Sequence, residues 1–494
     1  MRNSLIIEQR RNNPSELAMW TLGLFGSAVL WILMLEGQFN LLCTVIILGS
    51  LLLVSLHDRA TAILLTLSYL VLMGDIRRIL AAVVGPPEQD LLLLIGPAIA
   101  VVLALPILWS LRLRDGLSKA MFFLLIVMVL EIFNPKQGGL TIGLSGAVFY
   151  VAPVLWFWIG RRFGSPEVVE KLLYRVIFPL ALLAALLGFA QTFIGFLPYE
   201  QAWIDVASKT YTALHLGASI RAFGFSVSGA EYAALLMIGA VGVAAAYIGS
   251  GSRWALIFPI LIAGIVLASA RGSVIKMVVT LALVWTLRKG HRVGAKDAFR
   301  LVVFAIAGLV AMVLVASRFT TSEVALPAKS SAVDNALAHQ AGGLAHPFDP
   351  RYSTAGIHGG MFLSGVVEGL TYPIGHGLGS TTAAASKFGG DPNEGSSEID
   401  VSDMFISLGV IGGLLYLYIV ATAMRKALRY LQTVRRGVSL PVLAILTSTL
   451  GSWLIGGQYS TSALMFFLVG ALLYPDLMNS NDKTDSRRWS QQKT

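Results

Sequence analysis

Arg221, Arg271 and Lys276 are cations placed where a bilayer tolerates them least. Arg221 opens RAFGFSVSGAEYAA, Arg271 sits in LASARGSVIK between two apolar runs, and Lys276 follows it by about 7–8 Å along a helix. An arginine at such a place needs a reason, since burying its charge in hydrocarbon is costly. Guanidinium forks match phosphate oxygens in bidentate geometry, so these three fit an anion site, and a lipid-linked phosphate or diphosphate is the anion a membrane face supplies. The alternative is that the arginines snorkel to headgroups while Lys276 pairs with Glu231 or Glu368.

A second group of reactive side chains lies in the polar stretch 317–402, which holds His339, His346, His358 and His376. Their spacings match no compact metal-ligand pair and no cysteine lies among them, so a general base is the better expectation, with His358 or His376 taking a hydroxyl proton near neutral pH. Glu368 and Asp403 are rival bases. Glu231 and Asp400 are further acids near membrane boundaries, whereas Asp391, Glu394 and Glu398 read as solvated. His358 to Leu370 fits a lateral helix with Phe362, Val366 and Leu370 at helical spacing. After it, Gly375, Gly377 and Gly379 form a turn whose backbone N–H groups would approach an anion.

The elements that position these groups follow from composition. The 494 residues are 56% hydrophobic and 13% charged, far from the balance of a soluble enzyme, and the net charge of +10 reads as membrane anchoring rather than nucleic-acid binding. The single cysteine, Cys43, lies within an apolar run and excludes internal disulfides and zinc clusters. Apolar runs at 18–35, 40–56, 60–74, 91–111, 120–133, 146–160, 174–197, 230–248, 254–268, 273–287, 301–316, 403–424, 440–456 and 462–475 predict an all-α polytopic protein of about 14 spans.

Charge sets the orientation. Arg112, Arg114 and Lys119; Arg161, Arg162 and Lys171; Arg288, Lys289, Arg292, Lys296 and Arg300; and Arg425, Lys426, Arg429, Arg435 and Arg436 mark four connections. Threading 14 spans puts all four on the cytoplasmic side with both termini. The connection 75–90, with Arg77 and Arg78, falls outside and reads as an amphipathic lateral segment. The chain then divides into N-terminal spans (1–200), spans carrying Arg221 and Arg271 (201–316), a long external loop (317–402), C-terminal spans (403–476) and a cytoplasmic tail (477–494).

In order and spacing, these motifs over residues 200–475 resemble the O-antigen ligase and polymerase superfamily of integral-membrane glycosyltransferases. RAFGFSVSGAEYAA is similar to its Arg-x-x-Gly pattern and carries Arg221; LASARGSVIK looks like its Ser-Arg-Gly turn and carries Arg271. RYSTAGIHGGMFLSGVVEGLTYPIGHGLGS resembles its long-loop pattern and carries Arg351 with the glycine turn. The His-Asn pair that ligases show before the helix leaving the loop is absent from EIDVSDMFISLGVIGG, which points to the polymerase branch. The resemblance implies a GT-C-like fold in a bacterial inner membrane and a donor glycan on undecaprenyl diphosphate. It also implies an acceptor glycan, neither metal nor cofactor, and work beside a flippase and a chain-length regulator. With the leaving diphosphate neutralised by Arg221, Arg271 and Arg351, displacement from the opposite face inverts the anomeric centre. A Wzy-type polymerase is the first reading; a ligase acting on lipid A core or another acceptor is the second, and a secondary transporter or flippase the third.

Overall fold

The computed structural model describes residues 30–85, 90–111, 113–207, 215–216, 219–288, 303, 307, 331–346, 349, 355–382, 385, 388, 399–455 and 459–474. Arg351, Asp391, Glu394 and Glu398 lie outside them, as do most of the expected first and eleventh spans. Each of the other twelve apolar runs contains a helix. Six helices are long and apolar enough to cross a membrane, so the chain is a helical membrane protein.

The helices are α1 (Phe39–His57), α2 (Arg59–Val84), α3 (Leu91–Trp109), α4 (Gly116–Glu131), α5 (Leu140–Phe163) and α6 (Pro166–Phe193). A short α7 (Pro198–Ala207) and a two-stranded hairpin, β1 (His215–Leu216) with β2 (Ser219–Ile220), lead to α8 (Gly229–Ser250). Next come α9 (Phe258–Leu267), α10 (Arg271–Leu287), α11 (Ala332–Ala345) and α12 (Ala355–Thr371). The last three are α13 (Asp400–Thr433), α14 (Arg436–Ser448) and α15 (Tyr459–Ala471).

Sequence explains several boundaries. Asp58, Asp115, Ser165, Ser228 and Ser331 each cap a helix by accepting from a backbone N–H in its first turn. Helices pack closely where glycine removes the β-carbon. A β-carbon on Gly160 of α5 would strike the Phe467 carbonyl of α15, and one on Gly470 of α15 would strike that of Phe157. Gly365 and Gly369 of α12 stand one turn apart against Ser402, Phe405 and Ile406 of α13.

The bundle has two chemically different ends. At one, the basic connections bind one another: Arg161 pairs with Asp115 at 3.7 Å, Arg435 with Glu170, and Arg436 donates to the Arg288 carbonyl. At the other lie α7, the hairpin, α11, α12 and the start of α13.

Two expectations are corrected here. Residues 75–84 are not a lateral segment but the last turns of α2, with Arg78 only 2% exposed and Arg77 paired with Asp90. Charge alone favours a lateral segment, and the buried partners of Arg78 override it. The apolar face that α12 exposes is Ile357, Leu363, Val367 and Leu370, while Phe362 and Val366 are half-buried. Packing of Gly365 and Gly369 on α13 fixes that rotation.

Because the α5–α15 crossing has no room for side chains, Gly470→Leu should prevent its closure, at a cost of about 1–3 kcal/mol or more. Gly49→Leu in α1, where nothing lies within 4 Å of the new β-carbon, serves as the control. Thermal unfolding in detergent should show a large loss for the first and little change for the second; equal behaviour would contradict this account of the packing.

Candidate anion site

Arg221 and Arg271, 50 residues apart in sequence, converge at the end of the bundle that carries α11 and α12. Each lies in the other's field, and both act on His339 of α11. Arg271 is the first residue of α10 and its guanidinium lies across Gly343 of α11, where any β-carbon would collide with it. The Arg221 stem lies over Gly229, the first residue of α8.

Ser269 joins α9 to this cluster. It is the one non-glycine among the described residues with positive φ, 55°, a conformation that costs energy unless its surroundings hold it. The holding contacts are visible: Ser269 Oγ lies 2.7 Å from His339 Nδ1 and 3.4 Å from the Ala336 carbonyl. If the hydroxyl proton goes to Ala336 O, Ser269 accepts from Nδ1–H, which leaves the lone pair of His339 on Nε2. Partial burial of the ring, reinforced by Arg271 and then Arg221, pushes His339 down to about 4, so its imidazole is neutral at pH 7.

The loop presenting Arg221 is itself clamped. Arg78 donates to the carbonyls of Ser226 at 2.8 Å and Gly224 at 3.0 Å, bonds Asp75 at 3.3 Å, and lies over the Phe223 and Trp203 rings. Gln191 of α6 accepts from the N–H groups of Phe223 and Gly224, and donates to Gly224 O and to Glu200. Gly74, one turn before Arg78, lets α2 touch the Ser226 backbone directly. Every position from 223 to 226 thus has a backbone bond or close contact fixing it.

Lys276 does not belong with the arginines. Its Nζ donates to Ser452 Oγ at 3.2 Å and lies in the field of Asp400, so neither Glu231 nor Glu368 is its partner. Asp400 in turn accepts from the Tyr416 hydroxyl at 2.6 Å and the Trp453 N–H at 2.7 Å. Lys276 therefore ties α10 to the turn after α14, beside the start of α13. Glu231 is buried and accepts from Ser460 N–H and Oγ at 2.8 and 2.6 Å, holding the start of α15.

The glycine turn is likewise absorbed by the fold. Gly409, at φ 66°, interrupts α13, and the break releases the carbonyls of Ile406 and Ser407 and the N–H of Val410. His376 N–H donates to Ile406 O, Gly377 N–H to Ser407 O, and Val410 N–H to Pro373 O. Gly375, Leu378 and Gly379 N–H donate to Tyr372 O, Glu131 O and Gln137 Oε1. The amides expected to meet an anion are thus spent on protein acceptors. Gly375, Gly377 and Gly379 are needed because β-carbons there would strike Ser407 and Gly409, Gln137, and Ile142.

Of the four expected bases, two meet: His376 Nε2 lies 3.0 Å from Glu368 Oε1, with the ring buried and set edge-on to Tyr372. Beside this pair a groove of about 390 Å³ opens between Leu130–Lys136 and Tyr372–Gly375. His358 is half-buried near the start of α12, ten residues from Glu368 and so about 15 Å along the helix. Asp403 is fully buried in the first turn of α13, in the field of Tyr416. His346 ends α11 as its cap. Among the described residues no cluster of three or more His, Cys, Asp or Glu could hold a metal.

Sequence reasoning did not assign roles to Ser269, His339, Arg78 or Gln191. Ser269 had a signal, since it precedes Arg271 by two residues; the bonds of Arg78 and Gln191 to residues 223–226 span more than 30 residues and left none. No protein-family model matches the chain, and no curated protein matches it.

His339 gives this site a pH signature. Its folded value of about 4 lies below the unfolded 6.5, so its contribution to stability is complete above pH 6.5 and is lost as pH falls toward 4. Thermal unfolding from pH 7.5 to 4.5 should show His339→Gln losing less stability on acidification than the parent; parallel curves would contradict an imidazole held neutral beside two arginines.

Proposed function

We propose that the protein is a lipid-diphosphate-dependent glycosyltransferase of the polysaccharide-polymerase type, which joins undecaprenyl-diphosphate-linked repeat units at the outer face of a bacterial inner membrane. The convergence of Arg221 and Arg271 on one neutral histidine supports this reading most directly. Two like charges held together are stabilised by an anion between them, and a diphosphate spans two guanidinium groups. The resemblance of the surrounding motifs to the O-antigen ligase and polymerase superfamily supplies the donor class.

In this reading Arg221 and Arg271 neutralise the diphosphate as its bond to the anomeric carbon breaks, which is the main electrostatic contribution to the reaction. The acceptor hydroxyl attacks the opposite face of that carbon and its proton passes to Nε2 of His339. A partly desolvated imidazole beside two cations is a weak base; a bound diphosphate offsets the arginine charges and so removes that part of the lowering when the donor is in place. His339 thereby replaces His376, His358, Glu368 and Asp403 as the base. The His376–Glu368 pair and its groove line the same end of the bundle and serve to orient the acceptor. Arg351 remains a further candidate for the diphosphate.

The same reading places the arginine end outside and the basic end with both termini in the cytoplasm, with about 14 spans in a GT-C-like arrangement. The joined basic connections of the opposite end support that orientation.

Lysine keeps the charge of arginine but not its fork. Arg221→Lys and Arg271→Lys should therefore cut polymer formation in cells at least tenfold while the protein still inserts, and Lys119→Ala or Arg162→Ala, at exposed positions of the basic end, should leave it unchanged. Normal polymer from both lysine variants would remove the diphosphate site. In a deletion strain, single repeat units on intact lipid A core mark a polymerase. Absence of attached glycan instead marks a ligase, and unchanged glycans mark a transporter.

A further inference from the structure

Gln340 is a polar residue of α11 that none of the preceding interactions uses, and unlike Asn335, which donates to Ser219 Oγ, it has no polar contact of its own among the described residues. It is 4% exposed, and among the described residues neither its Oε1 nor its Nε2 has a hydrogen-bond partner. A carboxamide buried in this way is costly, and a leucine would fill the space without the cost. Its place in the helix is specific. Ala336, Gln340 and Gly343 fall at i, i+4 and i+7, one stripe of α11, with His339 on the adjoining flank. The two outer members of that stripe meet the anion site: Ala336 through its carbonyl to Ser269, and Gly343 against the guanidinium of Arg271.

We infer that Gln340 reads the sugar bonded to the donor diphosphate, making α11 a sugar-specificity element; this rests on the diphosphate reading above. The chemistry of a lipid-linked glycan selects that part of it. Phosphate oxygens only accept, and the arginines already supply donors. The isoprenoid has no polar group. A sugar hydroxyl both donates and accepts, as a carboxamide does, so neighbouring hydroxyls satisfy both ends of Gln340. The ring is bonded directly to the diphosphate, so a site that holds the phosphates between Arg221 and Arg271 holds that ring within reach of the adjoining stripe.

The test compares two soluble lipids on the full-length protein in detergent: farnesyl diphosphate, and the same lipid carrying one hexose on its diphosphate. Gln340→Leu should weaken binding of the hexose lipid about tenfold or more, the loss expected for leaving sugar hydroxyls unpaired. Farnesyl diphosphate should bind the variant within twofold of the parent, and the melting temperature should not fall. Equal weakening of both lipids would show a structural role and overturn the inference, as would no weakening of either. If the leucine variant does not fold, Gln340→Met takes its place; failure of both to fold overturns the inference, because an amide without protein partners is replaceable by an apolar side chain of its size. Arg271→Ala separates the two levels. If it leaves farnesyl diphosphate binding intact, or the parent binds neither lipid, the diphosphate reading fails and the inference with it. If the parent binds both lipids equally and only Arg271→Ala weakens them, the inference alone fails.

Discussion

Two guanidinium groups repel, and the architecture at one end of this bundle is organised around holding Arg221 and Arg271 together. Their proximity is imposed by elements with their own reasons to stay in place. On the Arg221 side, Arg78 and Gln191 take up backbone groups of Phe223, Gly224 and Ser226, and the Asp75 N–H takes up that of Phe225, so the loop cannot swing its arginine away without leaving buried carbonyls and amides unpaired. On the Arg271 side, α11 lies across the start of α10, with Gly343 giving the guanidinium room and Ser269–His339 fastening the helix down. The two guanidinium groups are thus carried on a rigid frame, as preorganised binding of an anion requires.

The same economy of backbone groups explains the long loop between α10 and α13. A helix broken inside a membrane protein must have its freed carbonyls and amides satisfied. In α13 the break at Gly409 is filled by Pro373, His376 and Gly377. That docking carries His376 to Glu368 and, through Leu378 and Gly379, ties the loop to Glu131 and Gln137. Lys276 bonds Ser452 and Asp400 accepts from Trp453, so the turn after α14 joins α10 to the start of α13. The described part of the loop, residues 331–346 and 355–382, is thus two helices and a turn fastened onto the bundle.

Much of this was legible in the sequence, because apolar run length and odd charges are local signals. The runs located the helices, and Arg221 and Arg271 stood out against the anchoring pattern. What escaped was set by contacts between distant segments. Arg78 reads as one more boundary charge until Gly224 and Ser226, about 150 positions later, are seen to accept from it. The glycines at 375, 377 and 379 suit either an anion cradle or close backbone packing; only the broken helix, itself due to Gly409, decides for packing. His339 carried no motif, and its importance follows from Ser269 adopting a left-handed conformation that composition does not announce.

The central claim is that Arg221 and Arg271 form one site for one anion. A double-mutant cycle on farnesyl diphosphate affinity, using Arg221→Ala, Arg271→Ala and the double variant in the full-length protein, measures it directly. Two arginines sharing a diphosphate predict that each single replacement removes most of the affinity and that the second adds little, a coupling of at least tenfold. Small losses that simply multiply in the double variant would mean that the two cations act independently, and would contradict the account.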